Sequence, residues 1–302
     1  MSDKKVAVLL STYNGEKFVR EQLDSILNQT YKNIEIIVRD DGSKDSTVEI
    51  IKEYQKSNKN IKLITGENLG FIKSFFELLK IANADYYSYA DQDDIWLDNK
   101  IELAVNSLNK LDDNKPNMAY SNSDYYDENM EYIGAGERNN NISFLGSLFS
   151  CVGQGMTMVI NNKAREMIIK NVPKTCFFHD WWTYILCIGL GNVAHDDVTT
   201  VKYRRMKKNA TSEGQGYFRL IIWRIKNLVL KNGIKDVKKQ MINFKEIYYN
   251  ELSDENKKIL DLFANEKYSF IKAIKKAFYP KRIRSKLIDD FMLRIIFIFG
   301  VL

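Results

Sequence analysis

The amino-acid sequence predicts an α/β protein with a mainly parallel sheet and flanking helices, followed by a C-terminal helical extension. Four short apolar segments alternate with three segments of helical spacing between residues 4 and 90, and this alternation is typical of parallel sheets. The charge is divided along the chain. Residues 1–215 contain 26 Lys and Arg against 30 Asp and Glu, whereas residues 216–302 contain 19 against 9. We therefore predict an α/β domain over 1–215 and a basic helical extension over 216–302.

The first four strands are predicted from short runs of apolar and β-branched residues. These runs are Lys4–Leu10, Ile34–Val38, Ile61–Thr65 and Tyr86–Ala90. Between them, apolar residues recur at helical spacing. The predicted helices are Lys17–Gln29, Ser43–Lys56 and Ile72–Ala82.

The second half of the chain is predicted with the same rules. A helix is expected over Leu97–Leu111, strands over Pro116–Ser121 and Met156–Ile160, and a short strand pair over Val193–Arg205. The polar stretch Asp124–Asn141 is either a mobile loop near an acceptor or an ordinary surface loop. Past a break at Thr211–Gly216, the predicted helices are Tyr217–Leu230, Val237–Tyr249, Asn256–Lys276 and Ile283–Leu302.

Composition excludes several classes of protein. Hydrophobic residues make up 45% and charged residues 28% of the chain, which is an ordinary globular balance. Two His argue against a His-rich zinc site, and three Cys without metal-type spacing favour a reduced compartment. The N-terminal apolar run VAVLL is too short for a leader sequence, and no stretch reaches the ~18 apolar residues of a spanning helix. We expect a cytoplasmic protein. The basic extension lacks any nucleic-acid recognition motif, so no nucleic-acid partner is expected.

Polar clusters follow each of the four predicted strands. They are Thr12–Asn14, Asp40–Ser43, Asn68–Gly70 and Asp91–Asp94. Ligands of such sheets bind outside the carboxyl ends of the strands. The coincidence predicts a nucleotide-type ligand across these strand ends.

The cluster after the fourth strand is the most acidic. At a strand end, Asp91 and Asp93 would point to the same side of the chain, because side chains alternate with a period of two. Two carboxylates on one side suit a hard divalent cation that also binds phosphate oxygens. An acidic turn that caps the helix starting near Leu97 is the alternative. The pair Asp40-Asp41 likewise has two interpretations: a carboxylate that accepts a hydrogen bond from a pyrimidine base, or an Asp-Gly turn with a helix cap.

A second candidate centre is the aromatic segment around Asp180, with the sequence FFHDWW. A carboxylate among four aromatic side chains loses solvation, which raises its pKa toward that of a general base. The alternative is a helix cap, and both can hold at once. Elsewhere, Gly153-Gln154-Gly155 suggests a close approach of the backbone to a ligand or to a neighbouring strand.

In order along the chain, VAVLLSTYNG, RDDGSKDST, ENLG and YADQDDIW resemble the nucleotide-binding half of a family 2 glycosyltransferase of the GT-A (Rossmann-like) type. The resemblance covers about the first two-thirds of the chain. It implies an inverting enzyme that uses a nucleotide-diphosphate sugar and a divalent metal, Mg or Mn. The sequence DQDDIW and the later HDWW resemble the corresponding segments of bacterial rhamnosyltransferases in particular.

The resemblance also assigns roles to individual residues. Asp41 corresponds to the residue that reads the base, and Asp180 to the catalytic base that deprotonates the acceptor hydroxyl. The implied nucleotide contacts are Thr12, Tyr13, Asn14, Asp41, Asn68, Gly70 and Asp91. The implied metal contacts are Asp93 and Asp91. Further substrate contacts are predicted for Gln154, Asp94, Trp181, Trp182 and Arg204.

One position departs from the family pattern. Met206 stands where related transferases commonly place a His that completes the metal shell, and Met is a poor ligand for Mg²⁺ or Mn²⁺. Cationic side chains at Arg204, Arg205, Lys207 or Lys208 are candidates to neutralise a leaving diphosphate instead.

These observations lead to one principal functional hypothesis and two rivals. The principal one is transfer of a sugar from a dTDP- or UDP-sugar to a lipid-linked glycan precursor of the cell envelope, in polysaccharide biosynthesis, with rhamnose as the sugar that the resemblance suggests. We expect the basic extension to place the protein on the inner face of the cell membrane; a helix docked on the catalytic domain or a partner subunit is the alternative. The rivals are a catalytically weak nucleotide-sugar-binding subunit or scaffold, and a membrane-surface interaction protein.

Overall fold

The computed structural model describes residues 4–138, 141–206 and 233–299, which form two compact units. The first unit contains residues 4–137, 153–170 and 192–206; the second contains 138, 141–152, 171–191 and 233–299. The predicted boundary at 215/216, the predicted helix 217–230 and Lys207 and Lys208 lie outside the described residues. The division into 1–215 and 216–302 therefore stays a prediction.

Nine strands are found in the described residues, all in the first unit. They are β1 (Val6–Thr12), β2 (Ile34–Asp40), β3 (Ile61–Thr65), β4 (Tyr86–Asp91), β5 (Ile95–Trp96), β6 (Asn117–Tyr126), β7 (Tyr132–Ala135), β8 (Met158–Asn161) and β9 (Asn192–Arg204). The helices of this unit are α1 (Val19–Leu27), α2 (Thr47–Ser57), α3 (Phe71–Ile81), α4 (Lys100–Leu108) and α6 (Asn162–Lys170), with a 3₁₀ turn at Gly155–Thr157.

The strands form one sheet in the order β3-β2-β1-β4-β8-β6-β9-β5, with β7 paired to β6. Strands β3, β2, β1 and β4 are parallel to one another, while β8 is antiparallel to both of its neighbours. The register places Thr12 opposite Asp40 and Ser11 opposite Asp91. The predicted α/β fold is confirmed, and the polar strand ends share one edge.

The core of the first unit lies on both faces of this sheet. Side chains of Val6, Val8 and Leu10 on β1 join a buried cluster with residues of α1, α2 and α4. On the other face, Phe75 of α3 packs edge-on against Tyr89 of β4, with 5.4 Å between ring centroids. Because side chains alternate along β1 and β4, helices cover both faces of the parallel half.

Two expectations for the second half of the sheet are wrong. The stretch Asp124–Asn141 is not simply a loop, because β6 continues to Tyr126 and β7 returns antiparallel beside it. The predicted strand pair Val193–Arg205 is one strand, β9, which pairs in parallel with β6 along its length. Asp196 and Asp197 lie at the irregularity in this pairing and accept hydrogen bonds from Ser107 and Asn122.

The described helices of the second unit surround an aromatic core. They are α5 (Phe144–Ser147), α7 (His179–Leu190), α8 (Gly233–Tyr248), α9 (Asp254–Phe263), α10 (Phe270–Ala277) and α11 (Leu287–Ile298). Trp182 packs on Phe244 with 5.6 Å between centroids, and Phe263 packs on Phe297 at 5.6 Å. None of the helices seen in residues 4–138, 141–206 and 233–299 combines the length and apolar character needed to cross a membrane.

The predicted helix Asn256–Lys276 is interrupted. The side-chain amide of Asn265 donates to the carbonyl of Leu262 (2.6 Å), and Ser269 caps α10 by accepting from the backbone N–H of Lys272 (3.5 Å). Asn and Ser compete for backbone groups in this way and favour helix ends over helix interiors. The result is two helices, α9 and α10, joined by a polar turn.

Candidate active site

The loop after β1 is held by the side-chain amide of Gln92. The backbone N–H of Tyr13 donates to Gln92 Oε1 (2.8 Å), and Gln92 Nε2 donates to the carbonyl of Tyr13 (3.1 Å). Gly15 permits this approach, because a Cβ there would lie 2.3 Å from Gln92 Oε1. The Tyr13 ring itself is 45% exposed. The predicted nucleotide loop and the acidic loop are thus directly joined.

Asn14 connects the same loop to the end of β2. Its backbone has a positive φ of 48°, a conformation that Asn tolerates better than most residues. Its N–H donates to Ser43 Oγ (2.9 Å), and its side-chain oxygen accepts from the N–H of Lys44 (2.9 Å). As placed, Asn14 orders the loops on which a ligand would rest.

Asp40 is buried and fully hydrogen-bonded. Its Oδ1 accepts from the backbone N–H groups of Gly42 (3.2 Å) and Ser43 (2.8 Å). Its Oδ2 accepts from the hydroxyls of Thr12 (2.9 Å) and Ser43 (2.6 Å). A carboxylate offers about four acceptor positions, so Asp40 shapes the turn. Thr12, which is 1% exposed, is committed to the same bond.

Asp41 is also buried, and it joins β2 to the turn before α3. Its Oδ1 accepts from the N–H of Leu69 (2.9 Å) and from the Arg39 guanidinium, and its Oδ2 accepts from the N–H of Gly70 (2.8 Å). Burial acts to raise the pKa of Asp41, but these three donors outweigh it and hold the pKa below its ordinary value. Gly70 has a φ of 78°, which favours glycine, and exposed Asn68 accepts a second bond from its N–H at 3.1 Å.

The acidic loop between β4 and β5 gathers three carboxylates. Asp94 is fully buried; its Oδ1 accepts from the N–H of Arg204 (3.1 Å), while its Oδ2 has no hydrogen-bond partner among the described residues. Burial, and then the charges of Asp93 and Asp91, raise the pKa of Asp94 well above its ordinary value. Burial also raises the pKa of Asp93, against the opposing effect of Arg204. The surroundings of the loop therefore disfavour the charged forms of Asp93 and Asp94.

Arg204 at the end of β9 holds this loop in place through hydrogen bonds. Its Nε donates to the carbonyl of Asp93 (2.8 Å), one terminal nitrogen donates to the carbonyl of Glu128 (2.6 Å), and the other bonds the carboxylate of Glu21. The guanidinium also lies 4.5 Å from the centre of the Phe18 ring. Only 2% of Arg204 is exposed. The structure therefore gives Arg204 a positioning role, and its predicted contact with substrate has no support from this placement.

A divalent cation suits the chemistry of this loop but is not enclosed by it. Asp91 and Asp93 offer the oxygen donors that Mg²⁺ and Mn²⁺ prefer, and a buried oxygen of Asp94 has no hydrogen-bond partner among the described residues. Within the described residues, however, no three His, Cys, Asp or Glu side chains converge on one metal position.

Gln154, the predicted sugar contact, lies before the 3₁₀ turn that leads into β8. Its Oε1 accepts from Ser123 Oγ on β6 (2.8 Å), and its carbonyl accepts from Thr157. Half-buried Gln154 is thus fixed against the sheet. Gly153 beside it is closely packed, since a Cβ there would lie 3.1 Å from the Tyr120 ring.

The second unit contains the aromatic segment. Asp180 lies in the first turn of α7, and its Oδ1 accepts from the N–H of Trp181 (2.7 Å). The N-cap position is occupied by Phe178 without a side-chain capping bond, so the helix-cap interpretation of Asp180 is wrong. Burial lowers the pKa of His179 to about 3, which keeps this ring neutral. Burial, with the charge of Asp180, raises the pKa of Cys176 to about 12. Asp180 itself is half-buried, and its role as a base stays a prediction.

The two tryptophans after Asp180 are packing residues in this structure. Trp181 is 8% exposed, and its Nε1 donates to the carbonyl of Ser147 (2.5 Å). Trp182 is fully buried against Phe244 and Tyr248. Neither ring face is open to solvent, so the predicted stacking on an acceptor has no support from their exposure.

Sequence reasoning missed the residues that hold the site together. Arg39 bonds Asp41, Ser74 Oγ (3.2 Å) and the carbonyl of Glu67 (3.0 Å). Lys100 lies 3.8 Å from the Trp96 ring centre and donates to Ser88 Oγ (2.9 Å), and burial lowers its pKa to about 7. The position of Arg39 inside the apolar strand IEIIVRD could have indicated a buried, paired cation. No local sequence pattern indicates that Lys100 is buried.

Comparison with known proteins shows the family of this chain. Residues 7–161 match the family model described as glycosyl transferase family 2. The chain is 32% identical over 193 residues to the dTDP-rhamnosyl transferase RfbG of Shigella flexneri, and 32% identical over 206 residues to the uncharacterized glycosyltransferase RT0329 of Rickettsia typhi. These alignments cover 58% and 66% of this chain and 63% of each relative, just under two thirds of their lengths.

Solved structures share the fold. A crystal structure of Staphylococcus aureus TarS in complex with UDP superposes with a TM-score of 0.61 at 16% identity, covering 92% of this chain and 75% of that one. The mannosyltransferase PcManGT from Pyrobaculum calidifontis, in complex with GDP-Man and Mn²⁺, gives a TM-score of 0.57 at 17% identity, covering 86% and 69%. At these identities the likeness concerns the fold alone, and it confirms the predicted GT-A architecture.

Proposed function

Since the chain belongs to glycosyl transferase family 2, we propose that it transfers a sugar from a nucleotide-diphosphate sugar to a hydroxyl of a cell-surface glycan precursor, with inversion at the anomeric carbon. One observation carries the proposal. The loops after β1, β2 and β4 are bonded to one another at a single sheet edge, through Tyr13 to Gln92 and through Asn14 to Ser43. Ligands of parallel α/β sheets bind at such an edge.

The nucleotide is proposed to lie across the loops after β1, β2 and β3. Exposed Tyr13 is the surface for the base and ribose, and Asp41 is the candidate to accept a hydrogen bond from a pyrimidine base. Asn14 and Gly70 shape the two walls of this region through the bonds described above. Asp91, at the end of β4 beside β1, is the candidate for the ribose.

The chemistry is proposed as a direct displacement at the anomeric carbon, without a covalent enzyme intermediate. Asp180 accepts the proton of the acceptor hydroxyl as its oxygen attacks the sugar, and the diphosphate leaves. Asp91 and Asp93 would hold a divalent cation, which when bound supplies charge stabilisation to the departing diphosphate. Arg204 and Asp94 keep the acidic loop in position for this task.

We propose rhamnose, delivered from dTDP-rhamnose, as the donor sugar. This finer assignment has support from the named activity of one relative, RfbG, at 32% identity; a UDP-sugar is the alternative. The acceptor is proposed to be a lipid-linked glycan in polysaccharide biosynthesis, with the protein at the inner surface of the cell membrane. The net charge of residues 216–302, 19 cationic against 9 anionic side chains, favours an anionic surface.

Calorimetric titration of dTDP and UDP, each with Mn²⁺ and with EDTA, tests the proposal. We expect one nucleotide to bind, and to bind more tightly with Mn²⁺. The matched variants are Asp93→Asn, which should abolish the Mn²⁺ effect, and Asp112→Asn, an exposed carboxylate of the same unit that should change nothing. Binding unaffected by EDTA would remove the metal from the proposal. Binding without sugar transfer to any lipid-linked acceptor would favour the rival hypothesis, a nucleotide-sugar-binding subunit or scaffold.

A further inference from the structure

Among the residues that the structure describes, the exposed apolar surface is concentrated in α10, α11 and the residues beside them. Of 21 exposed large apolar side chains in the described residues, twelve lie within 268–299. On α11 the exposed ones recur at helical spacing: Leu287 (73% exposed), Phe291 (63%), Ile295 (37%) and Ile298 (42%). A continuous apolar stripe on the outside of a helix marks a surface that binds something apolar.

The opposite side of α11 is already used for packing. Leu293 and Phe297 are buried, and Phe297 contacts the rings of Phe149 and Phe263. Buried Asp290 accepts from Arg294 Nε (2.7 Å), whose other nitrogens bond carbonyls at 277, 279 and 281. The core of the second unit is therefore already packed against the buried face of α11, and the outward stripe is left exposed.

A small pocket rich in lysine lies at the start of α10. Lys238, Lys267, Lys272 and Lys276 line it together with Asn265 and Ser269. The crowding is electrostatic as well as geometric: burial, then the charges of Lys238 and Lys272, lower the pKa of Lys276 to about 8. Lys272 Nζ donates to the carbonyl of Asp261 (3.0 Å) and to Asn265 Oδ1 (2.6 Å), and Lys276 Nζ lies 5.7 Å from the centre of the Phe297 ring. Lys238 and Lys267 are therefore the candidates to contact an anion with several oxygens, such as a phosphate group, beside the pocket.

The pocket and the apolar surface are adjacent. Tyr268 lines the pocket, is 54% exposed, and donates from its hydroxyl to the carbonyl of Ile298 at the end of α11 (3.2 Å). Phe270 and Ile271, directly after the pocket residue Ser269, are 62% and 67% exposed. A cationic pocket thus has exposed apolar side chains on two sides.

We propose that α10 and α11, together with the lysine-rich pocket, form the surface by which this chain docks on an anionic phospholipid bilayer. The exposed rings and aliphatic chains enter the interfacial layer, and the lysines hold the phosphate of an anionic headgroup. This rests on the membrane-surface location proposed above and not on the sugar-transfer reaction.

The charge balance selects a bilayer among the possible occupants. Residues 267–299 contain nine Lys and Arg but only two acidic residues, Asp289 and Asp290. Two copies of this surface would repel each other, and a nucleic acid would leave the apolar stripe in water. An anionic bilayer offers an apolar layer and phosphate groups at one boundary, which matches both halves of the surface.

Flotation of the full chain with vesicles tests the apolar half. We expect binding to vesicles of phosphatidylcholine and phosphatidylglycerol in equal parts, and little binding to phosphatidylcholine alone. The double variant Phe270→Ser, Ile271→Ser should weaken binding about tenfold or more, from the apolar area that stays out of the bilayer. The matched control is Ile81→Ser, Ile133→Ser, two exposed residues of the first unit, which should bind like the wild type.

A charge pair tests the pocket. Lys238→Gln, Lys267→Gln should weaken binding to the anionic vesicles by about fivefold for each lysine. Lys59→Gln, Lys110→Gln removes the same charge from exposed positions of the first unit and should have a much smaller effect. If both double variants lose vesicle affinity equally, the interaction depends on net charge alone, and the pocket is not a headgroup site.

Two further outcomes would overturn the proposal. Binding of inorganic phosphate to the full chain, lost in Lys238→Gln, Lys267→Gln, without flotation of the chain with anionic vesicles would make the pocket a site for free phosphate. The surface would instead bind a second copy of the chain if the wild type sediments as a dimer, the Phe270→Ser, Ile271→Ser variant sediments as a monomer, and vesicle binding is the same for both. Nucleotide titration of every variant separates these failures from failure of the proposed function, because nucleotide binding should stay at the wild-type value.

Discussion

Replacing Asp41 with Asn removes the anionic partner of a guanidinium buried under the candidate nucleotide site. Arg39 is 6% exposed and Asp41 is 2% exposed, so water cannot compensate for the lost charge. The guanidinium keeps two neutral acceptors, Ser74 Oγ and the carbonyl of Glu67. Asn would also turn an NH₂ group toward an N–H donor, either that of Leu69 or that of Gly70.

The cost should depend on which partner is removed. Breaking a buried ion pair so that a charge is left uncompensated costs about 3–5 kcal/mol of the free energy of unfolding, and Asp41→Asn does so. Arg39→Met leaves a carboxylate that still accepts from two backbone N–H groups. We expect it to lose only the charge-assisted bond, about 1.5–3 kcal/mol. The double variant should cost less than the two single variants together.

Urea unfolding followed by tryptophan fluorescence and by circular dichroism measures the three variants. Because Asp41 has a lowered pKa in the folded chain, its stabilising effect is complete above the ordinary carboxyl pKa of about 3.9. It is lost as the pH falls further through the folded-state pKa. The difference between wild type and Asp41→Asn should therefore be constant near neutral pH and shrink below about pH 4. If Asp41→Asn lowers the free energy of unfolding by no more than Arg39→Met does, the expected difference between removing the anion and removing the cation is refuted.

Three further predictions concern the site. Asp180→Asn should lower sugar transfer by about a hundredfold or more with nucleotide affinity unchanged by calorimetry; transfer at the wild-type rate would remove Asp180 as the base. Arg204→Lys should raise the KM for the nucleotide sugar more than it lowers kcat, because a lysine cannot reach the acceptors of the guanidinium together; an unchanged KM in steady-state kinetics would contradict the positioning role. Gly15→Ala should cost about 1–3 kcal/mol in urea unfolding, since its Cβ would meet Gln92 at 2.3 Å. Gly134→Ala, where a Cβ meets nothing within 4 Å, is the control and should cost far less.

The parallel half of the sheet was predictable because its signals are local. Strands β1, β2 and β4 are largely apolar runs ended by polar residues, as expected for strands covered on both faces, whereas β3 at the edge of the sheet is shorter and carries the exposed Lys62. The order of the strands then follows from few alternatives, since sequential parallel strands pair through helical crossovers. The prediction ended β2 at Val38, although the strand continues through Arg39 to Asp40. Charged residues rarely lie within a buried strand, and here each has its partners outside the strand.

The rest depended on contacts distant in sequence. Nothing in VAHDDVTTVKYRR indicates that it runs as one strand beside β6, because its partners lie more than seventy residues away. Its charge makes Arg204 one of four cationic candidates for a diphosphate, and in the structure its guanidinium bonds Glu21 and the carbonyls of Asp93 and Glu128. Local pattern identifies a cation; only the tertiary structure shows which groups it serves.

The carboxylates of the site differ in how much of their acceptor capacity the protein itself uses. Asp40 accepts four hydrogen bonds, two on each oxygen, so a base could bond to it only by displacing one of them. Asp41 accepts three, which leaves one acceptor position on Oδ2 with respect to the described residues. Asp94 keeps a buried oxygen without a hydrogen-bond partner in the same part of the chain. Unused capacity is where a ligand can add a bond without breaking one. Asp41 is therefore a better acceptor than Asp40 for an incoming base N–H, and the acidic loop is the better position for a cation.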